Sequence, residues 1–209
     1  MEIPRRDRLP APRSLLGIAA VTGLVALACM ITVDQPIARW LGGYQALGFW
    51  DTALDLLEWV LLLPLVPWAF AILLALAMLV TVAVPRWRGF APVATYLTAN
   101  HLLGRIAMVY AKDWTGRLRP SEWLAQGGDT FWRTGGISFP SGHVVLFASV
   151  VIPVAVIWPR TRPLLAVVAF VAAARVVANA HFVSDVIGGV TLCAVVAWVT
   201  GWIVRPLRR

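Results

Sequence analysis

Six stretches of this chain are long, apolar and nearly free of charge, and that spacing limits what it can fold into. A hydrocarbon layer about 30 Å thick is crossed by roughly 20 apolar residues in a helix. Such runs extend from Ser14 to Val33, Trp59 to Val84, Pro92 to Ala111, Val144 to Trp158, Pro163 to Ala180 and Val186 to Val204. The second is over-long and contains Pro64 and Pro67, so a kink or tilt is expected there. The fourth is short unless the turn before it dips into the membrane. The expectation is an all-α polytopic membrane protein: six transmembrane helices in one bundle, a single domain over residues 1–209, both termini on one side.

Composition agrees. Of 209 residues, 60% are apolar and only 13% charged, against roughly 45–50% and 25% for a soluble globular chain. Disorder, a coiled coil and a small disulfide scaffold are excluded, and too few charges remain to coat a soluble domain. The 11 tryptophans suit indoles at the headgroup level. The only cysteines, Cys29 and Cys193, lie inside apolar runs and offer no disulfide framework.

Eighteen basic residues against ten acidic ones leave +8, a balance that in a soluble protein would suggest nucleic acid. Here the charges sort by side. Arg5, Arg6, Arg8, Arg13, Arg86, Arg88, Arg160, Arg162, Arg205, Arg208 and Arg209 fall on one side, opposed by Glu2 and Asp7. The other side mixes Arg39, Lys112, Arg117, Arg119 and Arg133 with Asp34, Asp51, Asp55, Asp113, Glu122 and Asp129. The positive-inside rule then places the termini in the cytoplasm and makes the membrane, not nucleic acid, the partner. The first run is too long for a cleaved signal peptide and reads as a retained helix. The polar stretch from Lys112 to His143, rich in glycine and tryptophan, reads as a lid over the outer surface.

Three polar clusters end up on that outer side. They are Lys112 to Pro120, with Arg119; Pro140-Ser141-Gly142-His143 opening the fourth run; and Arg175 followed by His181 and Asp185. Ionisable groups at membrane depth point by default to function. Lys112, Arg119 and Arg175 supply fixed positive charge for phosphoryl oxygens. Ser141 and Gly142 at a helix start offer free N–H groups to an anion, and His143 is placed to reach a leaving oxygen. His181 and Asp185, four apart, share a face if helical, so the carboxylate holds one imidazole nitrogen and directs the other as nucleophile or base. Singly, each has a plainer reading: snorkelling cations, a serine cap, a packed histidine, an aspartate at a helix start. Jointly they describe phosphoryl transfer. Three cations and two histidines around one carboxylate repel a divalent ion, so neither metal nor cofactor is expected.

With these residues in order the chain resembles the type 2 phosphatidic acid phosphatase superfamily. That signature is Lys-x6-Arg-Pro, then Pro-Ser-Gly-His, then Ser-Arg-x5-His-x3-Asp. Lys112, Arg119 and Pro120 complete the first part and Pro140 to His143 the second. Arg175, His181 and Asp185 match the third, with Ala174 where the family often has serine. The resemblance implies a metal-independent phosphatase with a phosphohistidine intermediate. His181 would attack phosphorus, Asp185 orient it, and His143 protonate the leaving oxygen and then activate water. Lys112, Arg119, Ser141, Gly142 and Arg175 would bind the phosphoryl oxygens.

A second polar set lies deeper. His101 and Arg105 are four apart on the third run, and Asp51, Asp55 and Glu58 share a face before the second. Arg105 is expected to pair with Asp55 or Glu58 and lock two helices together; the alternative is that His101 and Arg105 contact a second phosphate or a sugar. The compact chain without long tails points to a bacterial inner membrane, with the site at the periplasmic face. The expected substrate is a phosphorylated or pyrophosphorylated lipid: undecaprenyl pyrophosphate, phosphatidylglycerol phosphate, phosphatidic acid or lipid A phosphates. Competing readings are a lipid-to-lipid phosphotransferase using the same site, and a non-enzymatic lipid-binding or transport protein.

Overall fold

The computed structural model describes residues 12–43, 48–61, 68–128, 132 and 135–204. Among them the chain is all-α, with nine α-helices and no strand. In order these are α1 (Pro12–Thr32), α2 (Asp34–Gly42), α3 (Phe49–Val60), α4 (Ala69–Ala83), α5 (Ala91–Thr115), α6 (Pro120–Ala125), α7 (Gly142–Ile157), α8 (Leu165–Val177) and α9 (Val183–Val204). Short 3-10 turns over Pro85–Phe90 and Pro159–Leu164 join α4 to α5 and α7 to α8.

Six of these helices (α1, α4, α5, α7, α8 and α9) fall on the six apolar runs. By length and composition α1 and α9 suffice to cross a membrane, while α4 and α7 are apolar but shorter. Boundaries differ from the sequence expectation in physically readable ways. The run expected as one helix from 59 to 84 begins, as α4, at Ala69; residue 59 belongs to the separate helix α3, which carries Asp51, Asp55 and Glu58. Pro64 and Pro67, where a kink was expected, lie outside the described residues. Proline also starts elements, in the first turn of α5, α6 and both 3-10 turns, where its missing N–H leaves no bond unmade. The stretch from 112 to 143 is not all loop: α5 runs on to Thr115 and α6 lies within it.

Helix α9 is the centre, packed by α1, α5, α7 and α8, with α4 outside α5 and α3 against α8. Inter-helix polar contacts are few and paired. Tyr96 on α5 donates to the Ala197 carbonyl of α9 (3.1 Å), and Thr191 on α9 donates to Thr22 on α1 (2.9 Å). His101 Nδ1 lies 2.8 Å from Ser149 Oγ on α7, while Asn100 donates to the Ser149 carbonyl. Buried polar groups without water need such partners. The outward faces of α1 and α4 are apolar, exposing Val21, Leu24 and Ile31, and Leu73, Leu76 and Leu79.

One close approach sets the bundle's upper end. A Cβ on Gly188 of α9 would overlap the Phe139 ring, just ahead of Pro140 and Ser141. Gly188→Ala should therefore displace the start of α7, with a destabilisation of about 1–3 kcal/mol. Thermal unfolding of the variant against the parent protein checks this.

Candidate functional site

The site is built on the first turn of α9. Phe182 precedes the helix and Asp185 occupies its third residue, from which the carboxylate reaches back to accept the Phe182 N–H (2.8 Å). This is the carboxylate half of a capping box. The same Oδ2 accepts a hydrogen bond from Ser138 Oγ (2.5 Å) and lies 3.6 Å from His181 Nδ1. His181 is therefore not on the helical face that its spacing suggested. It lies one residue before the cap, and Asp185 reaches it because a carboxylate at that position folds back over the helix start.

The turn holding His181 closes α8. Asn179 takes the left-handed conformation (φ 53°), which asparagine tolerates better than most residues. The chain thereby reverses so that the N–H groups of Ala180 and His181 both donate to the Arg175 carbonyl (3.1 Å each). One short reversal thus sets Arg175 and His181 side by side.

Behind Asp185 lies Arg117, fully buried. Its guanidinium pairs with Asp185 Oδ1 (2.6 Å) and Asp34 Oδ2 (2.7 Å), donates to Ser184 Oγ (2.7 Å), and lies against the Phe182 and Trp132 rings. Asp34, at the start of α2, also accepts the Ser184 N–H (2.9 Å) and its hydroxyl. The segment after Gly135 is laced to the same place: Gly136 N–H donates to Gly116 O (3.1 Å) and Ser138 N–H to Arg117 O (2.9 Å). Ser141 N–H then donates to Asp185 O (3.0 Å), joining the start of α7 to the start of α9.

In front of His181 is a cavity of about 380 Å³ whose wall includes Lys112, Arg119, Gly142, His143 and His181, with Met108 and Leu146 on its apolar side. Lys112 also donates to the Ile137 carbonyl. Arg119 Nε and the Ser141 hydroxyl are buried donors with no hydrogen-bond partner among the described residues, an arrangement that an anion's oxygens would satisfy. Arg175 stands close enough for its charge to act on both His143 and His181. Burial pushes His181 below the ordinary histidine value, opposed in part by Asp185. Burial, and then the Arg119 charge, pushes Lys112 down to about 8. Among the described residues no three His, Cys, Asp or Glu side chains group as a metal-ligand set. A larger cavity of about 730 Å³, apolar apart from Ser14 and Arg162, holds none of these groups. Two imidazoles, one held by a carboxylate, facing several cations can carry out nucleophilic displacement at phosphorus.

The residues singled out in the sequence divide clearly. Lys112, Arg119, Gly142, His143 and His181 line one cavity, with Ser141, Arg175 and Asp185 adjoining. Of the deeper set, Glu58 and Arg105 line it too, but they do not pair. Arg105 stacks on Trp68 (5.5 Å) and Glu58 lies 3.0 Å from His143 Nε2. Asp55 is exposed, and His101 is buried in the α5–α7 contact, outside the cavity wall. Ala174, at the position where the resembled family often has serine, is fully buried. Asp34 and Arg117 were counted only among the charges of the outer side, and Ser138 and Ser184 were not singled out. The available signal was that Arg117 and Arg119 alternate in an extended segment, so only one can face the cavity.

Removing one partner of a buried ion pair strands the other, at about 3–5 kcal/mol. Arg117→Met should destabilise the fold by that order, measured by thermal or denaturant unfolding, whereas Asp55→Asn on the exposed face of α3 should stay within about 0.5 kcal/mol.

The sequence model of the PAP2 superfamily matches residues 90–209. No curated protein and no solved structure matches the chain. The matched segment takes in α5 to α9 and all three motifs that wall the cavity, more than half of the chain, and the protein belongs to the PAP2 superfamily, a family of phosphatases acting on phosphate esters.

Proposed function

We propose that this protein is an integral membrane lipid phosphatase working through a phosphohistidine. The observation that carries the reading is the convergence of His143, His181 and the cations Lys112 and Arg119 on one cavity. With Asp185 at Nδ1, the His181 nitrogen available for attack is Nε2. It displaces the lipid oxygen at phosphorus: the N–P bond forms, the P–O bond breaks, and His143 gives its proton to the leaving oxygen. In the second half, His143 takes a proton from water, the water oxygen attacks phosphorus, and the N–P bond breaks to release phosphate. Lys112, Arg119, Arg175, the Ser141 hydroxyl and the Gly142 N–H hold the phosphoryl oxygens, whose charge builds in the transition state.

The apolar outward faces of α1 and α4, the basic residues gathered at one end of the runs, and the Met108 and Leu146 side of the cavity support a lipid substrate met at the membrane. In this reading six helices cross the bilayer, the termini are cytoplasmic and the site faces the periplasm. Substrates to compare are undecaprenyl pyrophosphate, phosphatidylglycerol phosphate, phosphatidic acid and lipid A phosphates.

Phosphate release by purified protein across that panel tests the proposal. His181→Ala should lower turnover by at least ~1,000-fold with folding intact, and activity should persist in excess chelator; recovery only on adding magnesium would sink it. Transfer to an acceptor lipid without free phosphate would instead indicate a phosphotransferase.

The pH profile follows from the same groups. His181 attacks as the neutral imidazole, and burial keeps it neutral further into acid, so the acid limb of kcat/KM should fall below 6.5, the ordinary histidine value. Lys112 is pushed down to about 8 in the free protein, so its hold on the phosphoryl oxygens should weaken above that pH and substrate binding should show an alkaline limb there. Lys112→Arg should move the alkaline limb upward, since guanidinium stays charged past ~12.

A further inference from the structure

We propose that Glu58 is a positioning residue for His143, forming with it a second carboxylate–imidazole pair across the cavity from His181 and Asp185. The inference rests on the phosphatase reading above and adds a residue that lies outside both the three motifs and the family-matched segment.

Glu58 lies near the end of α3 and lines the cavity beside His143, with Oε1 3.0 Å from Nε2. A carboxylate is an unexpected group there. Lys112, Arg119 and Arg105 share the cavity wall, and the Arg175 charge acts on Glu58 as well as on His143. In a pocket that must attract a phosphate, a lone anion works against binding unless it serves another purpose. Its place at one imidazole nitrogen supplies the purpose.

A neutral imidazole has one N–H and one lone pair, and a carboxylate decides which nitrogen carries which. With Glu58 at Nε2, the Nε2–H tautomer is favoured, and Nδ1, which has no hydrogen-bond partner among the described residues, is the nitrogen that exchanges protons. Burial, and then the Arg175 charge, hold His143 below the ordinary histidine value in the empty site; the negative charge of a bound phosphate favours its proton, and the ring, protonated at both nitrogens, donates from Nδ1 to the leaving lipid oxygen as the P–O bond breaks. It becomes neutral while its Nε2–H still faces Glu58. It then takes a proton from the attacking water at Nδ1, and Glu58 steadies the positive ring that results. The two rings are thereby used in opposite senses: His181 is held at Nδ1 and reacts at Nε2, whereas His143 is held at Nε2 and reacts at Nδ1. The Glu58–His143 contact is close but not aligned as a hydrogen bond; catalytic hydrogen bonds commonly tighten only when substrate fills the site.

The leaving group provides the test. An alkyl phosphate must have its departing oxygen protonated, whereas p-nitrophenolate leaves without a proton. With enzyme in excess, single-turnover release of the alcohol is measured for a dialkylglycerol phosphate and for p-nitrophenyl phosphate. The proteins compared are the full chain, Glu58→Gln, Glu58→Asp and His181→Ala. Glu58→Gln should slow alkyl release by ~10–100-fold and p-nitrophenolate release by less than ~3-fold, with Glu58→Asp recovering part of the loss. Equal slowing with both substrates, as a folding defect or a merely structural role would give, overturns the proposal; so does unchanged alkyl release. Failure of the phosphatase reading looks different: the parent chain then shows no His181-dependent release from either substrate.

Discussion

Everything at the upper end of this bundle is referred to one buried guanidinium. Arg117 joins Asp34 and Asp185 with no access to water, a placement stable only because its neighbours are satisfied too. Ser184 bonds both Arg117 and Asp34, and Ser138 and the Phe182 N–H bond Asp185. Two carboxylates against one guanidinium leave the group with surplus negative charge, and the nearest titratable ring is His181. In front of that ring lie Lys112, Arg119 and Arg175. The imidazole thus stands between an anionic support and a cationic cavity, the polarity that the proposed attack of His181 on phosphorus would require.

The cavity wall was largely legible in the sequence, and the support behind it was not. Lys112, Arg119, His143 and His181 belong to short motifs whose residue types already state a chemistry, and helix termini present them together. Arg117 looked like one more loop cation, because its partner Asp34 is 83 positions away and no local pattern encodes that pairing. The case of His181 and Asp185 is instructive in another way. A spacing of four suggested one helical face, yet the contact arises from a carboxylate capping the helix start with the histidine outside it. Glu58 was noticed, but charge matching offered it, or Asp55, to Arg105. In the fold Glu58 lies against His143 on α7, and Arg105 is taken up by the Trp68 ring.

The rest of the fold follows from how few polar groups the helices carry. Several of those inside are spent in pairs: Tyr96 on a carbonyl of α9, Thr191 on Thr22, His101 on Ser149. That third pair explains why one of the chain's three histidines stays out of the cavity that His143 and His181 line. Close helix approach does the remainder, with Gly104 bringing α5 against Ser149 on α7 and Gly189 letting α9 pass beside Val144.

Asp34 and Glu58 have something else in common: both precede residue 90, where the family resemblance starts. The amino-terminal helices are therefore not an appendage on a self-sufficient core. Excising the matched segment as a minimal unit would leave Arg117 with half its counter-charge and open the wall next to His143. The working module of this protein is longer than its recognisable signature, and grafting that signature alone onto another bundle would transfer the chemistry's vocabulary without its scaffold.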